Sequence, residues 1–497
     1  MKESDVANIA IALITAVLLA VGMYFFPLIS DDLMSIVYVK GTFLHHKSFD
    51  FIAYSDNLKY IFKMNHFRLP NLLMPFVILL PKWIPALLSG ISIFYIMRAG
   101  SRLGKFSGSW KSMTLFASGF ILLFPWVDQM YLISFQAPYL WGCAIALFLL
   151  KCLLRPRGLP IAATTFIGFL TGFWQEAYAC AILGACICLM FFCKEYRRKN
   201  TTAILCGLFC GILVNILPLM LRGVWGLWPF FSGRMAMIYP YTLITLAYAA
   251  ISLLMLRKYR TAVLNPVNLS LLEISIASAC MTLYLKTGMR IDGLGIVCSI
   301  IGIIYLIRHL PVAKYKAVGF AAILTGLFSL CNVITVDALC YRLGKETDYI
   351  LNQYRHTDRS PVFAPLTLRE NAPLMALQKP YFDWFAHDNT LEVFNLIYSN
   401  DSVRLEVVPE RLKYFSPGKA ERVPGTAGVY VYDGLTVGTD SDTKWYMADF
   451  GHGSRSHRFH TVAFRGADGN EYVWLHLDYA SLDFLMHPRP AKMDTAD

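Results

Sequence analysis

The chain begins with a continuous apolar run, from Ala7 to Ile29, that is followed at once by two adjacent acids, Asp31 and Asp32. A run of about twenty apolar residues is long enough to cross a bilayer as a helix. The acids therefore lie where the first predicted helix leaves the membrane. Because neighbouring carboxylates repel each other, such a pair is either well solvated or compensated by a cation, a proton or a polar partner.

Further apolar runs predict a polytopic α-helical membrane protein with about 11 transmembrane helices. Charged residues make up 16% of the chain, against roughly 25% in soluble globular domains. The second predicted span begins near Trp83, after a shorter apolar segment that contains Pro75 and ends near Pro81. The remaining spans are predicted at residues 113–124, 139–154, 161–193 (two spans), 203–221, up to 257, 269–285, up to 308, and 317–339.

Two domains are predicted from where the apolar runs end. Residues 1–339 form the predicted transmembrane domain, and residues 30–69 form its first outer loop. Residues 340–497 are polar and predict a mixed α/β extracytoplasmic domain. Its predicted elements are a helix at 347–355 and strands at 428–432 and 471–477, separated by turn residues.

The distribution of Lys and Arg between the spans predicts the orientation. Turns after even-numbered spans are rich in Lys and Arg and turns after odd-numbered spans are poor in them, so the even-numbered turns are expected in the cytoplasm. The N-terminus is then inside and the C-terminal domain outside, which agrees with an odd number of spans. The net charge of +12 reflects these turns, and no nucleic-acid partner is expected.

This topology gathers several unusual polar residues on the outer side. The two spans predicted at 161–193 share 33 residues, whereas two full crossings need roughly 40. Their turn, at Gln175 and Glu176, is therefore predicted to lie below the membrane surface. A carboxylate at that depth indicates a functional site, and the alternative is a structural pair between Glu176 and an Arg. The other outer candidates are Asp31, Asp32, Arg68, the segment 128–136 that ends at Gln136, Arg222, Arg234 and Arg290.

The arrangement resembles the GT-C class of integral-membrane glycosyltransferases, most of all bacterial members that use polyprenyl-phosphate sugars. The resemblance rests on residues 30–32 (Ser-Asp-Asp) directly after the first span, on a first outer loop with short helices, and on a many-span body with an outer C-terminal domain. The aromatic and amide stretch at 135–141 and the later acid Glu176 also match the pattern. Residues 66–68 (His-Phe-Arg) depart from it, since related chains more often have Gly before the Arg.

The resemblance implies a hexosyltransferase that moves a sugar from a polyprenyl-phosphate donor to a cell-envelope glycan or lipid acceptor, at the outer face of a bacterial inner membrane. Asp31 or Asp32 would be the general base, Glu176 would complete the catalytic set, and direct displacement would invert the anomeric centre. If a divalent cation (Mg²⁺ or Mn²⁺) takes part, the two Asp residues are its expected ligands. Arg residues would hold the donor phosphate. The implied substrate-binding residues are His66, Arg68, Gln136, Tyr139, Gln175, Arg222, Arg234 and Arg290.

Two other function classes fit parts of the sequence. A lipid-linked sugar flippase or transporter would also have many spans, outer Arg residues and aromatic walls, but it needs neither paired acids nor a large outer domain. A polysaccharide polymerase or ligase usually has its large outer segment between late spans, whereas here that segment is terminal. No Gly-rich phosphate loop follows a predicted strand, so no nucleotide is expected as the energy source.

Overall fold

A computed structural model gives the fold as a series of apolar helices followed by short strands. It describes residues 3–28, 32, 35–36, 51–64, 67–126, 130–155, 159–221, 240–285, 289–310 and 316–356, together with strand segments between 362 and 495. The main helices are α1 (Glu3–Phe25), α2 (Phe51–Met64), α3 (Leu69–Leu79), α4 (Trp83–Leu103), α5 (Trp110–Leu123), α6 (Ile133–Leu153), α7 (Ile161–Trp174), α8 (Glu176–Phe192), α9 (Lys199–Leu221), α10 (Pro240–Leu256), α11 (Pro266–Leu285), α12 (Gly293–Ile307) and α13 (Lys316–His356).

The helices are those of a multi-pass membrane protein. Among the described residues, five helices (α1, α4, α6, α9 and α13) are long and apolar enough to cross a membrane, and seven shorter apolar helices accompany them. Large apolar side chains such as Leu13, Leu254 and Phe320 are exposed on these helices, as expected where lipid surrounds the protein. Each of the predicted spans coincides with an apolar helix. The number of crossings and their orientation stay predictions.

A proline separates α3 from α4. Leu80 ends α3 in an extended conformation, because the residue before a proline is disfavoured in the helical region. The next helix then begins at Trp83, which confirms the predicted start of that span. Pro75 lies inside α3 without ending it.

One extended residue separates α7 from α8. Gln175 has φ −152° and ψ 107°, so α7 ends at Trp174 and α8 begins at Glu176, as the sequence predicts. The two helices have 14 and 17 residues, and both are shorter than the roughly 20 residues of a full crossing. The depth of this turn in the membrane stays a prediction.

Two glycine pairs allow α7 and α9 to approach closely. Gly168 and Gly172 lie on α7, and Gly207 and Gly211 lie on α9. A Cβ atom at Gly172 would come within 2.5 Å of the carbonyl oxygen of Leu208, so a larger residue there would force the helices apart. Small residues four positions apart are typical of closely packed membrane helices. This crossing fixes the C-terminal end of α7 against α9.

The most deeply buried helices are α6 and α12. In the apolar window of α6, 72% of the residues are buried, and most residues of α12 are buried as well. Within α6, Gln136–Trp141 form a π-helical turn. Pro138 lies in this turn, and because proline has no amide hydrogen it interrupts regular α-helical bonding.

The last helix is longer than predicted. The sequence predicts a span at 317–339 and a separate helix at 347–355, whereas α13 is continuous over 41 residues. The segment between the two predictions has no proline. Its glycine, Gly344, lies inside the helix against the backbone carbonyl of Phe25. The polar part of the chain therefore continues the helix that the apolar part begins.

The chain divides into two compact units. The first is Met1–Tyr24, Phe51–Asp337 and Met375–Pro380, and the second is Phe25–Asp50, Ala338–Leu374 and Tyr381–Asp497. The strands, all in the second unit, are β1 (Val362–Phe363), β2 (Leu405–Glu406), β3 (Ala420–Arg422), β4 (Val429–Tyr432), β5 (Trp445–Ala448), β6 (His457–His460), β7 (Ala463–Arg465), β8 (Glu471–Trp474) and β9 (Met493–Thr495).

The strands pair in three small sheets, with the orders β1-β2, β3-β4-β8-β7 and β6-β5-β9. In the largest sheet β4 pairs antiparallel with β8, and Val429 lies opposite Trp474. The two segments that the sequence predicts as strands contain β4 and β8. The mixed α/β domain at 340–497, and its boundary at 339, stay predictions.

Candidate functional site

Arg68 and Glu176 form a buried ion pair in the first unit. Nε of Arg68 donates to Oε2 of Glu176 at 2.7 Å, and Nη2 donates to Oε1 of the same carboxylate. The two side chains are 12% and 9% exposed. A pair of parallel hydrogen bonds of this kind holds the guanidinium and carboxylate planes in one orientation. Both carboxylate oxygens of Glu176 are thus engaged by Arg68.

Both residues of the pair lie where helices begin. Arg68 precedes α3 with an extended backbone, and Pro70 occupies the first turn of that helix, where a proline is well tolerated. Glu176 is the first residue of α8, so its negative charge lies at the positive end of the helix dipole. The starts of α3 and α8 therefore bring together residues that are 108 positions apart.

Tyr139, in the π-helical turn of α6, lies near enough to Arg68 to interact with its charge. Its side chain is buried and stacks on the ring of Phe135, with the centroids 6.2 Å apart. Burial lowers the pKa of Arg68, but the charge of Glu176, the hydrogen bonds to Glu176 and the interaction with Tyr139 raise it by more, so that this pKa lies above its usual value. The structure therefore places three predicted site residues, Arg68, Tyr139 and Glu176, together.

Gln136 lies in a closed hydrogen-bond network. Oγ of Ser89 donates to Oε1 of Gln136 at 2.6 Å, and Nε2 of Gln136 donates to the carbonyl oxygen of Tyr131 at 2.9 Å. The indole Nε1 of Trp141 donates to Oγ of Ser89 at 2.8 Å. The side chain of Gln136 is fully buried, and both ends of its amide are used within the protein. Its predicted role in substrate binding stays a prediction.

Gln175 is almost as deeply buried, at 1% exposure, but the hydrogen-bonding groups of its amide are not used. Neither Oε1 nor Nε2 has a hydrogen-bond partner among the residues that the structure describes. The neighbouring Trp174 donates from Nε1 to the carbonyl oxygen of Ala137 at 2.7 Å, which fixes the end of α7 against the π-helical turn. A buried amide without partners costs free energy unless a ligand or a water molecule occupies it.

Asn215 on α9 is a site residue that the sequence reading missed. Its side chain is fully buried, and its Nδ2 donates to the carbonyl oxygen of Gly172 at 2.6 Å. The backbone carbonyl oxygen of Asn215 accepts a hydrogen bond from the backbone N–H of Phe67 at 3.4 Å. Oδ1 of Asn215 has no partner among the described residues. The available signal was a single Asn in an apolar run, one turn after Gly211.

The predicted first-loop acids are only partly described. Asp32 belongs to the second unit, is helical and is 1% exposed, so it is a buried carboxylate rather than a solvated one. Asp31, His66, Arg222 and Arg234 lie outside the described residues. Arg290 lies in a short helical turn, Met289–Asp292, where only its backbone is described.

Three further acids lie in or beside the apolar helices. Asp292 is 1% exposed, and neither of its carboxylate oxygens has a partner among the described residues. Glu273 on α11 lies against Gly184 of α8, and Asp337 on α13 lies against Gly22 of α1. Each of the two has one buried oxygen without a partner in the described part of the chain.

The described residues contain no group of three or more His, Cys, Asp or Glu side chains arranged to hold a metal ion. Because Asp31 is outside this part of the chain, the divalent cation expected at Asp31 and Asp32 stays a prediction.

Comparison of the chain with models of protein families, with curated proteins and with solved structures finds no match. The fold defines a class, a multi-pass membrane protein of apolar helices. Its function has to be inferred from the chemistry of the site.

Proposed function

We propose that this chain is a membrane glycosyltransferase of the GT-C type, with about 11 transmembrane helices, that moves a sugar from a polyprenyl-phosphate donor to a cell-envelope glycan or lipid acceptor on the extracytoplasmic face of the membrane. The observation that carries the proposal is the oriented cation Arg68, held by Glu176 at the start of the apolar helix α3. A lipid phosphate needs a cation of this kind beside an apolar surface.

Arg68 keeps donors for an anion. A guanidinium group has five N–H donors, and the ion pair with Glu176 uses two of them. The remaining donors suit phosphate oxygens, which a guanidinium binds in a fixed geometry. Glu176 holds the guanidinium group of Arg68 in one orientation when no lipid phosphate is bound. In this proposal Glu176 therefore acts by orienting Arg68 and not by taking a proton.

The proposed reaction is a direct displacement. Asp31 or Asp32 accepts the proton of the acceptor hydroxyl, and the acceptor oxygen forms a bond to the anomeric carbon. The bond between that carbon and the phosphate oxygen breaks, and the polyprenyl phosphate leaves with the electron pair. Arg68 stabilises the charge that develops on the leaving phosphate. The configuration at the anomeric carbon is inverted.

A second candidate, a lipid-linked sugar flippase or transporter, is favoured by the acids inside apolar helices. Glu273 and Asp337 each have a buried carboxylate oxygen without a partner among the described residues. Acids inside a membrane protein are typical of proton and ion pathways. A transporter of this kind would bind the same lipid phosphate at Arg68 without breaking a bond.

The deciding experiment is sugar transfer from a defined polyprenyl-phosphate sugar by purified Asp31→Asn and Asp32→Asn variants, each checked for folding. Loss of a general base costs about two to four orders of magnitude in rate, so at least one variant should lose that much. Asp56→Asn is the matched control, because Asp56 is an exposed acid of α2 that forms a surface ion pair with Lys59. Full activity in both single variants and in the double variant would contradict the enzyme and favour the transporter.

A further inference from the structure

Two residues with unpartnered polar atoms lie at the junction of α7, α8 and α9: Gln175 between α7 and α8, and Asn215 on α9 against the end of α7. Gln175 contributes Oε1 and Nε2, and Asn215 contributes Oδ1. Both side chains are at most 1% exposed, so bulk water does not satisfy these atoms. In the described part of the chain, the site therefore offers one amide donor group and two carbonyl acceptors.

The residues that carry these atoms are linked through their neighbours to the ion pair. Asn215 is held at the end of α7 by the bond from its Nδ2 to Gly172, and its backbone accepts from Phe67. Phe67 directly precedes Arg68, and Gln175 directly precedes Glu176. The ring of Phe67 also packs near that of Phe173 on α7, with the centroids 6.1 Å apart. The open amides and the Arg68 cation are therefore parts of one junction.

The open atoms call for a ligand that both donates and accepts. A phosphate oxygen would satisfy only the NH₂ group of Gln175, and a metal ion would satisfy only the two carbonyl oxygens. A hydroxyl group donates one hydrogen bond and accepts two, so adjacent hydroxyls on one ring can satisfy all three atoms. We infer that Gln175 and Asn215 form a subsite for the hydroxyl groups of the sugar that the lipid phosphate at Arg68 carries. This inference rests on the proposed function.

The subsite makes a distinct prediction about ligand choice. A buried site built to hydrogen-bond hydroxyl groups discriminates against a ligand that lacks them, because its own polar groups then stay unpaired. The bare polyprenyl phosphate should bind through Arg68 alone, and the sugar-bearing lipid should bind more tightly. The difference in affinity comes from the hydrogen bonds of Gln175 and Asn215 to the sugar.

The test is the affinity of the purified protein, in detergent, for polyprenyl phosphate and for the same lipid phosphate carrying a hexose. The wild type should bind the sugar-bearing lipid about tenfold more tightly, the factor expected from roughly one or two net hydrogen bonds. Gln175→Met keeps the shape of the side chain without its amide, so it should lose most of this factor and keep the affinity for the bare lipid. Gln175→Ala removes the same amide and replaces the Met variant if that variant does not fold.

Two controls separate this inference from the proposed function. Arg68→Lys should weaken the binding of both lipids alike, because it disturbs the phosphate contact that they share. Ile187→Met, on an exposed position of α8, should change neither affinity. Equal binding of the two lipids by the wild type, or an unchanged factor in Gln175→Met, would overturn the sugar subsite while leaving the phosphate site intact. If neither lipid binds the wild type, the proposed function fails and the subsite fails with it.

Discussion

Two buried glutamines in the first unit, Gln136 and Gln175, differ in the hydrogen bonds of their side-chain amides. Gln136, in the π-helical turn of α6, bonds to Ser89 and Tyr131 through both ends of its amide. Gln175, between α7 and α8, has no partner at either end among the described residues. A hydrogen bond from Nε1 of Trp174 to the carbonyl oxygen of Ala137 joins the two regions.

The comparison distinguishes a polar group that holds the fold from one that is kept for a ligand. A closed network stabilises a single packing of the helices, and removing one member strands the others. A buried amide without hydrogen-bond partners does not stabilise the ligand-free protein, and its desolvation costs free energy. Its retention is understandable if a bound molecule supplies the missing partners, which is the physical basis of the sugar subsite that we propose.

The largest effect is expected at the ion pair between the two glutamines. Glu176→Gln leaves the cation of Arg68 buried without its counter-charge, and breaking a buried pair from one side costs about 3–5 kcal/mol. The free energy of unfolding of the purified protein, from a denaturing-detergent titration, measures this loss. Glu195→Gln changes an exposed acid just after α8 and should alter it by no more than about 0.5 kcal/mol. A similarly small loss in Glu176→Gln would mean that the pair contributes little to the fold.

A smaller loss is expected when the closed network is opened. Gln136→Met fills the same space but removes the acceptor of Ser89 and the donor to Tyr131, and each stranded buried group costs about 1–3 kcal/mol. The same titration measures the change. A variant as stable as the wild type would show that the network adjusts around the substitution. Gln136 would then not differ from Gln175 in its contribution to stability.

The helix pattern could be predicted from local signals. Proline at position 81 and the polar pair Gln175 and Glu176 inside an apolar run marked the breaks that the structure has. The continuity of α13 differs from the prediction, because the change from apolar to polar residues after Leu339 predicts the end of a helix where the helix in fact continues. A helix formed by good helix-forming residues does not need to end where its surroundings change.

The site was only partly predictable. Arg68, Tyr139 and Glu176 stood among the candidates, and pairing of Glu176 with an Arg was the open alternative, but four Arg residues were available and the partner is 108 positions away. Such contacts depend on how the helices pack, which the sequence does not show locally. Asn215 gave almost no local signal. Gln136 and Gln175 are the same residue type and are nearly equally buried. Only their tertiary surroundings decide that the amide of Gln136 has hydrogen-bond partners and the amide of Gln175 has none among the described residues.

The most direct test of this account is the free energy of unfolding of Gln175→Met, measured without ligand in the same titration as Gln136→Met. Because the Gln175 amide has no partner among the described residues, replacing it with an apolar side chain of similar shape should leave stability within about 0.5 kcal/mol of the wild type or raise it slightly. We therefore expect a clear loss of stability in Gln136→Met and none in Gln175→Met. A loss in Gln175→Met as large as that in Gln136→Met would contradict it, because the amide of Gln175 would then be bonded within the empty protein and not kept for a ligand.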